Sequence, residues 1–130
     1  MKGYIIYNTE DLTKNKRFIK FIKETLNEYN IDVELVIIDR VELEELENPD
    51  FVINRSRNAD VSRYFEGKNI RVFNSGKITE IANDKRKSYE YLEGIVPFMP
   101  LMSEEEAESS GKPYIIKSCN GHGGTQVFMV

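Results

Sequence analysis

Residues 2–38, KGYIIYNTEDLTKNKRFIKFIKETLNEYNIDVELVII, decide the fold. KGYIIY (2–7) is a compact run of aromatic and β-branched residues, and Asn8, Thr9 and Thr13 follow it as polar capping candidates. It reads as a strand handing over to a helix. Phe18, Ile22, Leu26 and Tyr29 then recur at helical spacing with Ile19 beside them, while Lys14, Lys16, Lys20 and Lys23 point elsewhere. That pattern predicts an amphipathic helix packed on something flat. VELVII (33–38) supplies the next strand.

Working outward, FVIN (51–54) and IRVF (70–73) are further short apolar runs. The acidic stretch DRVELEELENPD precedes FVIN, with Pro49 and Asp50 marking a turn. NADVSRYFEGKN offers Val61, Tyr64 and Phe65 on one helical face, and Gly67 as a stop. Short, almost continuously apolar strands alternating with helices indicate parallel pairing with helices on both faces. The expectation for residues 1–75 is therefore a Rossmann-like α/β layer, without internal repeat, low-complexity tract or flexible linker.

After Asn74 the pattern changes. Residues 76–111 read as a helical region: Ser75 and Asp84 are candidate caps, Gly94 is a stop, and IVPFMP is held extended by its prolines. SEEEAESSG places Ser103 and Glu106 at capping-box spacing and closes at Gly111, giving one short, solvated helix. Residues 112–130 contain PYIIK and TQVFMV around the loop SCNGHGG, which predicts a terminal β-hairpin.

Composition bounds the function. The 130 residues are 40% hydrophobic and 31% charged, ordinary for a folded protein. A net charge of -4 leaves no basic stripe for nucleic acid, and the local clusters KNKRFIKFIK and DKRK read as solvated helix faces. No stretch approaches a membrane span, and the apolar part of MKGYIIYNTED is too short for a secretory signal. A single cysteine allows no internal disulfide, which points to the cytoplasm. His122 is the only histidine, so several imidazoles cannot gather around a metal, and a Cys119–His122 pair lacks an orienting third group.

The loop itself has three glycines in four positions, Gly121, Gly123 and Gly124. Such a segment can turn successive N–H groups to one concave face that binds anions. A P-loop or a dinucleotide fingerprint would lead into a helix, and a P-loop would carry a lysine after the last glycine. Thr125 is present, but a strand pattern follows. Two readings stay open, a hairpin lid whose amides close over phosphates and a plain glycine turn. Lys117, just before the loop, is either a cation reaching what the loop covers or a solvated strand end. Asn54 and Arg55, at the end of a strand, either orient a substrate carboxylate or make a structural salt bridge.

The segments DFVINR (50–55), VFNS (72–75), NDKRKSYEYL (83–92), VPFMP (96–100) and PYIIKSCNGHGGTQVFMV (113–130) together resemble the ATP-grasp superfamily, in particular RimK-type glutamate ligases and D-alanine–D-alanine ligases. The resemblance covers nearly the whole chain. It implies a pre-ATP-grasp α/β domain followed by the first part of an ATP-grasp domain. It further implies an ATP- and Mg2+-dependent carboxylate–amine ligase working through an acyl phosphate. Lys85 and Lys117 would face the phosphates and the purine edge, and Gly121, His122, Gly123, Gly124 and Thr125 would cover the β- and γ-phosphates.

The same resemblance places the adenine hinge, the acidic magnesium ligands and a substrate arginine in a second half that has no counterpart in these 130 residues. EEEAE lies before the first ATP-grasp strand, where the family has no metal site. The expectation is the front portion of a larger enzyme, not catalytically complete alone, with its partner half elsewhere or on a second subunit. The alternative is a non-catalytic α/β scaffold or homodimerisation module whose glycine hairpin is structural. A mononucleotide site at YNTED is disfavoured because that turn has no glycine.

Overall fold

The first apolar run becomes β1 (Lys2–Tyr7), buried from Gly3 to Tyr7. The computed structural model describes residues 1–99, 101–121 and 126–130, in two compact units, Met1–Glu80 and Ile81–Val130.

In the first unit β1 pairs in parallel with β2 (Asp32–Ile37) on one side and β3 (Phe51–Asn54) on the other, and β4 (Arg71–Phe73) extends the sheet beyond β3. The order is β2-β1-β3-β4. Successive residues of a strand point to opposite faces, so β1 feeds two cores. Tyr4 and Ile6 join Val36, Val52, Val61 and Phe65 under α2 (Ala59–Gly67). Ile5 and Tyr7 join Ile19, Val33 and Phe51 under α1 (Thr9–Asn27), which adds Leu12, Ile22 and Leu26. The predicted layer, a parallel sheet covered on both faces, is therefore present.

Helical spacing alone overstates the buried stripe of α1. Phe18 is 40% exposed and Tyr29 70% exposed. The helix ends at Asn27, and Tyr29 falls in a turn where Asn30 takes φ 58°, so it cannot share the helix's inner face. Likewise β2 stops at Ile37, and Ile38–Arg40 tightens into a 3-10 turn.

The region after Asn74 folds as α3 (Gly76–Ala82) and α4 (Lys85–Leu92). Asp84 separates them by capping α4, its carboxylate accepting from the amides of Arg86 (2.8 Å) and Lys87 (3.1 Å). Tyr89 of α4 meets Phe98 edge to face, with centroids 4.9 Å apart, which pins the proline-containing segment. α5 (Glu104–Ser109) begins in a complete capping box. Gly94 and Gly111 end their segments at φ 74° and 60°, conformations that favour glycine. The chain closes with an antiparallel pair, β5 (Ile115–Lys117) and β6 (Val127–Met129), in which Ile116 faces Phe128 and Lys117 faces Val127.

Candidate functional site

In an open parallel sheet, ligands bind beyond the carboxyl ends of the strands, where the strand order reverses. Here that place lies between β1 and β3, because β2 leaves β1 on one side and β3 lies on the other. The Asn8 side-chain amide donates to the Ser56 carbonyl at 2.8 Å and ties the two strand ends together. Glu10 and Asp11 occupy the first turn of α1, and both pair with Arg57, at 2.7 and 2.5 Å. Two carboxylates where a phosphate would approach argue against a mononucleotide at this turn.

Asn54 is 2% exposed and fully engaged. Its amide donates to the Asn58 carbonyl (2.9 Å) and to Ser62 Oγ (2.8 Å), and its oxygen accepts from Ser56 N (2.9 Å) and Ser56 Oγ (2.7 Å). Both donors and both lone pairs are thus used. Ser62 Oγ passes the network on to the Asn74 carbonyl at 2.9 Å. Arg55 differs: it is exposed, and its guanidinium lies 5.3 Å from the centroid of Phe18, with Nε 3.4 Å from the Tyr7 hydroxyl. Among the described residues no carboxylate pairs with Arg55. It therefore offers a pre-positioned cation beside the strand ends, resting on the partly exposed ring of Phe18.

Another buried-in-sequence feature is Arg57, held at φ 64° between the Asn54 network and the acidic turn of α1. A non-glycine residue in that region is held there by its surroundings. The role of Arg57 is not legible in the sequence, because its two acidic partners lie 46 and 47 positions away.

In the second unit, the first turn of α4 rests on the base of the glycine loop. The backbone amide of Lys85 donates to the Cys119 carbonyl at 2.9 Å. Its ammonium donates to the Ser118 carbonyl at 2.9 Å and also to the Gly121 carbonyl. Lys85 therefore meets the chain immediately beyond Lys117. Lys117 is exposed at the end of β5, and among the described residues no carboxylate pairs with it. Gly121 is tightly enclosed: a Cβ there would lie 2.7 Å from Gln126 Oε1 and 3.2 Å from Ser118 Cβ. His122, Gly123, Gly124 and Thr125 lie outside the described residues.

Among the described residues no group of His, Cys, Asp or Glu side chains gathers as metal ligands would, and no helix is long and apolar enough to cross a membrane. Cys119 is a free, exposed thiol.

No protein-family model matches the chain. It is 26% identical over 136 residues to an uncharacterized protein of Mycoplasma genitalium, covering 99% of this chain and 47% of that protein. A homologous uncharacterized protein of Mycoplasma pneumoniae is 25% identical over 134 residues, covering 99% and 46%. The chain thus spans about half the length of the curated relatives it matches. Among solved structures it is similar to the D-alanine–D-alanine ligase of Bacillus anthracis, with a TM-score of 0.68 and 18% identity, over 100% of this chain and 49% of that one. At that identity the likeness shows the fold, which is that of the amino-terminal part of a ligase.

Proposed function

We propose that this chain is the amino-terminal part of an ATP-dependent carboxylate–amine ligase, contributing part of a nucleotide site and part of a carboxylate site. The observation that carries the reading is Lys85, whose ammonium sits on the base of a glycine loop 36 residues away in sequence. The fold likeness of the whole chain to part of a D-alanine–D-alanine ligase supports it.

In this reading ATP supplies the phosphoryl group that activates a carboxylate for attack by an amine, and Mg2+ neutralises the phosphates from acidic ligands outside this chain. Phosphoryl transfer needs fixed cations and oriented amides more than covalent help. Lys85 and Lys117 provide the cations, and Gly121 with His122, Gly123, Gly124 and Thr125 provides the amides. Arg55 provides the cation for the acceptor carboxylate, while Asn54 fixes the backbone from which Arg55 projects. The remaining ATP-grasp half comes from the same polypeptide or from a second subunit, in the cytoplasm. Neither nucleic acid nor a membrane is a partner.

Half a site binds weakly. Titration calorimetry with Mg-ATP is expected to give a dissociation constant in the ~1 mM range, equivalent to about -4 kcal/mol. Lys117→Met should weaken this binding several-fold, and Arg55→Met should leave it unchanged. Heats indistinguishable from dilution throughout the titration would remove the nucleotide reading.

The exposed apolar residues of the hairpin favour one competing reading, a non-catalytic dimerisation module. A stable dimer whose affinity is indifferent to Mg-ATP would support that reading instead.

A further inference from the structure

The resemblance assigns Lys85 to a nucleotide, yet in the protein alone its ammonium is already employed. An ammonium has three donors and no acceptor. Two of the three are spent on the Ser118 and Gly121 carbonyls, and the residue's own amide takes the Cys119 carbonyl between them. Three carbonyls within four consecutive residues are thereby drawn to one lysine. Carbonyls turned toward one cation cannot at the same time turn toward an anion bound at the loop, where their negative ends would repel it.

The helix side of this contact is fixed independently. Asp84 caps α4 through the amides of Arg86 and Lys87, and Ser88 Oγ donates to the Ile81 carbonyl at 2.7 Å. Lys85 therefore projects from a braced turn. On the loop side, Ser118 N donates to the Gln126 carbonyl at 3.1 Å, Gly121 N approaches the Ser118 carbonyl at 3.4 Å, and Gln126 packs against Gly121. The base of the loop is built around the lysine.

We infer that Lys85 is a positioning residue that sets the conformation of the Ser118–Gly121 segment before any ligand arrives, leaving one donor for a phosphate. Lys117 has no such part: among the described residues no carboxylate pairs with its ammonium. The two lysines that the resemblance treats alike therefore have separable roles. The phosphate clause rests on the nucleotide reading above; the positioning clause does not.

The test is amide hydrogen exchange on the full chain without ligand, comparing wild type, Lys85→Met, Lys85→Arg and Lys117→Met. Lys85→Met should speed exchange of the Ser118 and Gly121 amides, which donate to the Gln126 and Ser118 carbonyls, by about tenfold or more, since it removes two charge-assisted hydrogen bonds. Lys117→Met should leave those rates unchanged. Lys85→Arg, which keeps a cation with enough donors for both carbonyls, should recover most of the protection. Unchanged exchange in Lys85→Met overturns the inference. If Lys85→Met loosens α4 and α5 as well, the arginine variant decides, and loop exchange in it as fast as in the methionine variant is equally fatal. A parallel Mg-ATP titration separates the two readings: wild type that does not bind nucleotide defeats the ligase reading while leaving the ligand-free exchange result standing.

Discussion

At the residue scale, Gly3 shows how much one missing side chain can decide. It lies near the start of β1 with the ring of Phe51 packed directly over its α-carbon, and an added Cβ would fall 2.3 to 2.6 Å from three ring atoms. No Cβ tolerates that approach, so the ring would have to move. Phe51 cannot move freely, being 9% exposed and packed edge to face on Phe73 with centroids 6.3 Å apart. Gly3→Ala should therefore lower the unfolding free energy by about 2 kcal/mol or more, the upper part of the usual range for overpacking. Urea denaturation measures it. The double variant Gly3→Ala with Phe51→Leu should be more stable than the sum of the single losses predicts, because the smaller side chain vacates the space the methyl needs. Additive losses would show that the ring is not the obstacle. Nothing in KGYIIY announces this role, since the partner that makes the glycine necessary is supplied by another strand.

At the scale of elements, what could be read from the sequence was what local chemistry determines. The Ser103–Glu106 capping box and the Asp84 cap are visible because donor and acceptor lie two or three residues apart. The four parallel strands are visible because each is a short apolar run, and the β5–β6 pair because two such runs stand close together in the sequence. The stacking of Arg55 on Phe18 was not, since the arginine follows β3, far along the chain from α1. The partners of Lys85 were not either, because backbone carbonyls carry no residue identity. Local chemistry also yields a pH prediction. The Ser103 amide and hydroxyl bond the Glu106 carboxylate and hold its pKa below the ordinary glutamate value of 4.5. The unfolded chain then takes up a proton at a higher pH than the folded one. The box's stabilisation is complete above 4.5 and is lost as pH falls through the lower folded value. An NMR titration of the Glu106 carboxyl carbon should give a midpoint below 4.5, and Ser103→Ala, which removes the hydroxyl but keeps the backbone amide, should raise it only part of the way back. A wild-type midpoint at or above the ordinary value would mean that the box does not persist in solution.

At the scale of the whole molecule, the two units are unequal in how they hide apolar surface. The first encloses two cores around β1. In the second, Ile115, Ile116, Val127, Phe128, Met129 and Val130 are between 42% and 83% exposed, all within or beside a sheet of two strands. A two-stranded sheet leaves each strand with a free edge, and exposed apolar edges invite further strands or other molecules. The relatives and the solved ligase to which the chain is similar are about twice its length, and additional chain is one means of covering such a face. Without it, the hairpin should cover itself by self-association. Sedimentation velocity over a range of protein concentrations should show a weight-average mass that rises with concentration. Ile116 and Phe128 are cross-strand partners and so share one face of the hairpin. Phe128→Lys or Ile116→Lys should therefore shift the equilibrium toward monomer, whereas Phe21→Lys, an equally exposed aromatic on α1 of the other unit, should not. Sulfate should strengthen the association, as expected when apolar burial drives it. A chain that stays monomeric at its highest soluble concentration, or a dimer untouched by both hairpin substitutions, would place the driving surface elsewhere.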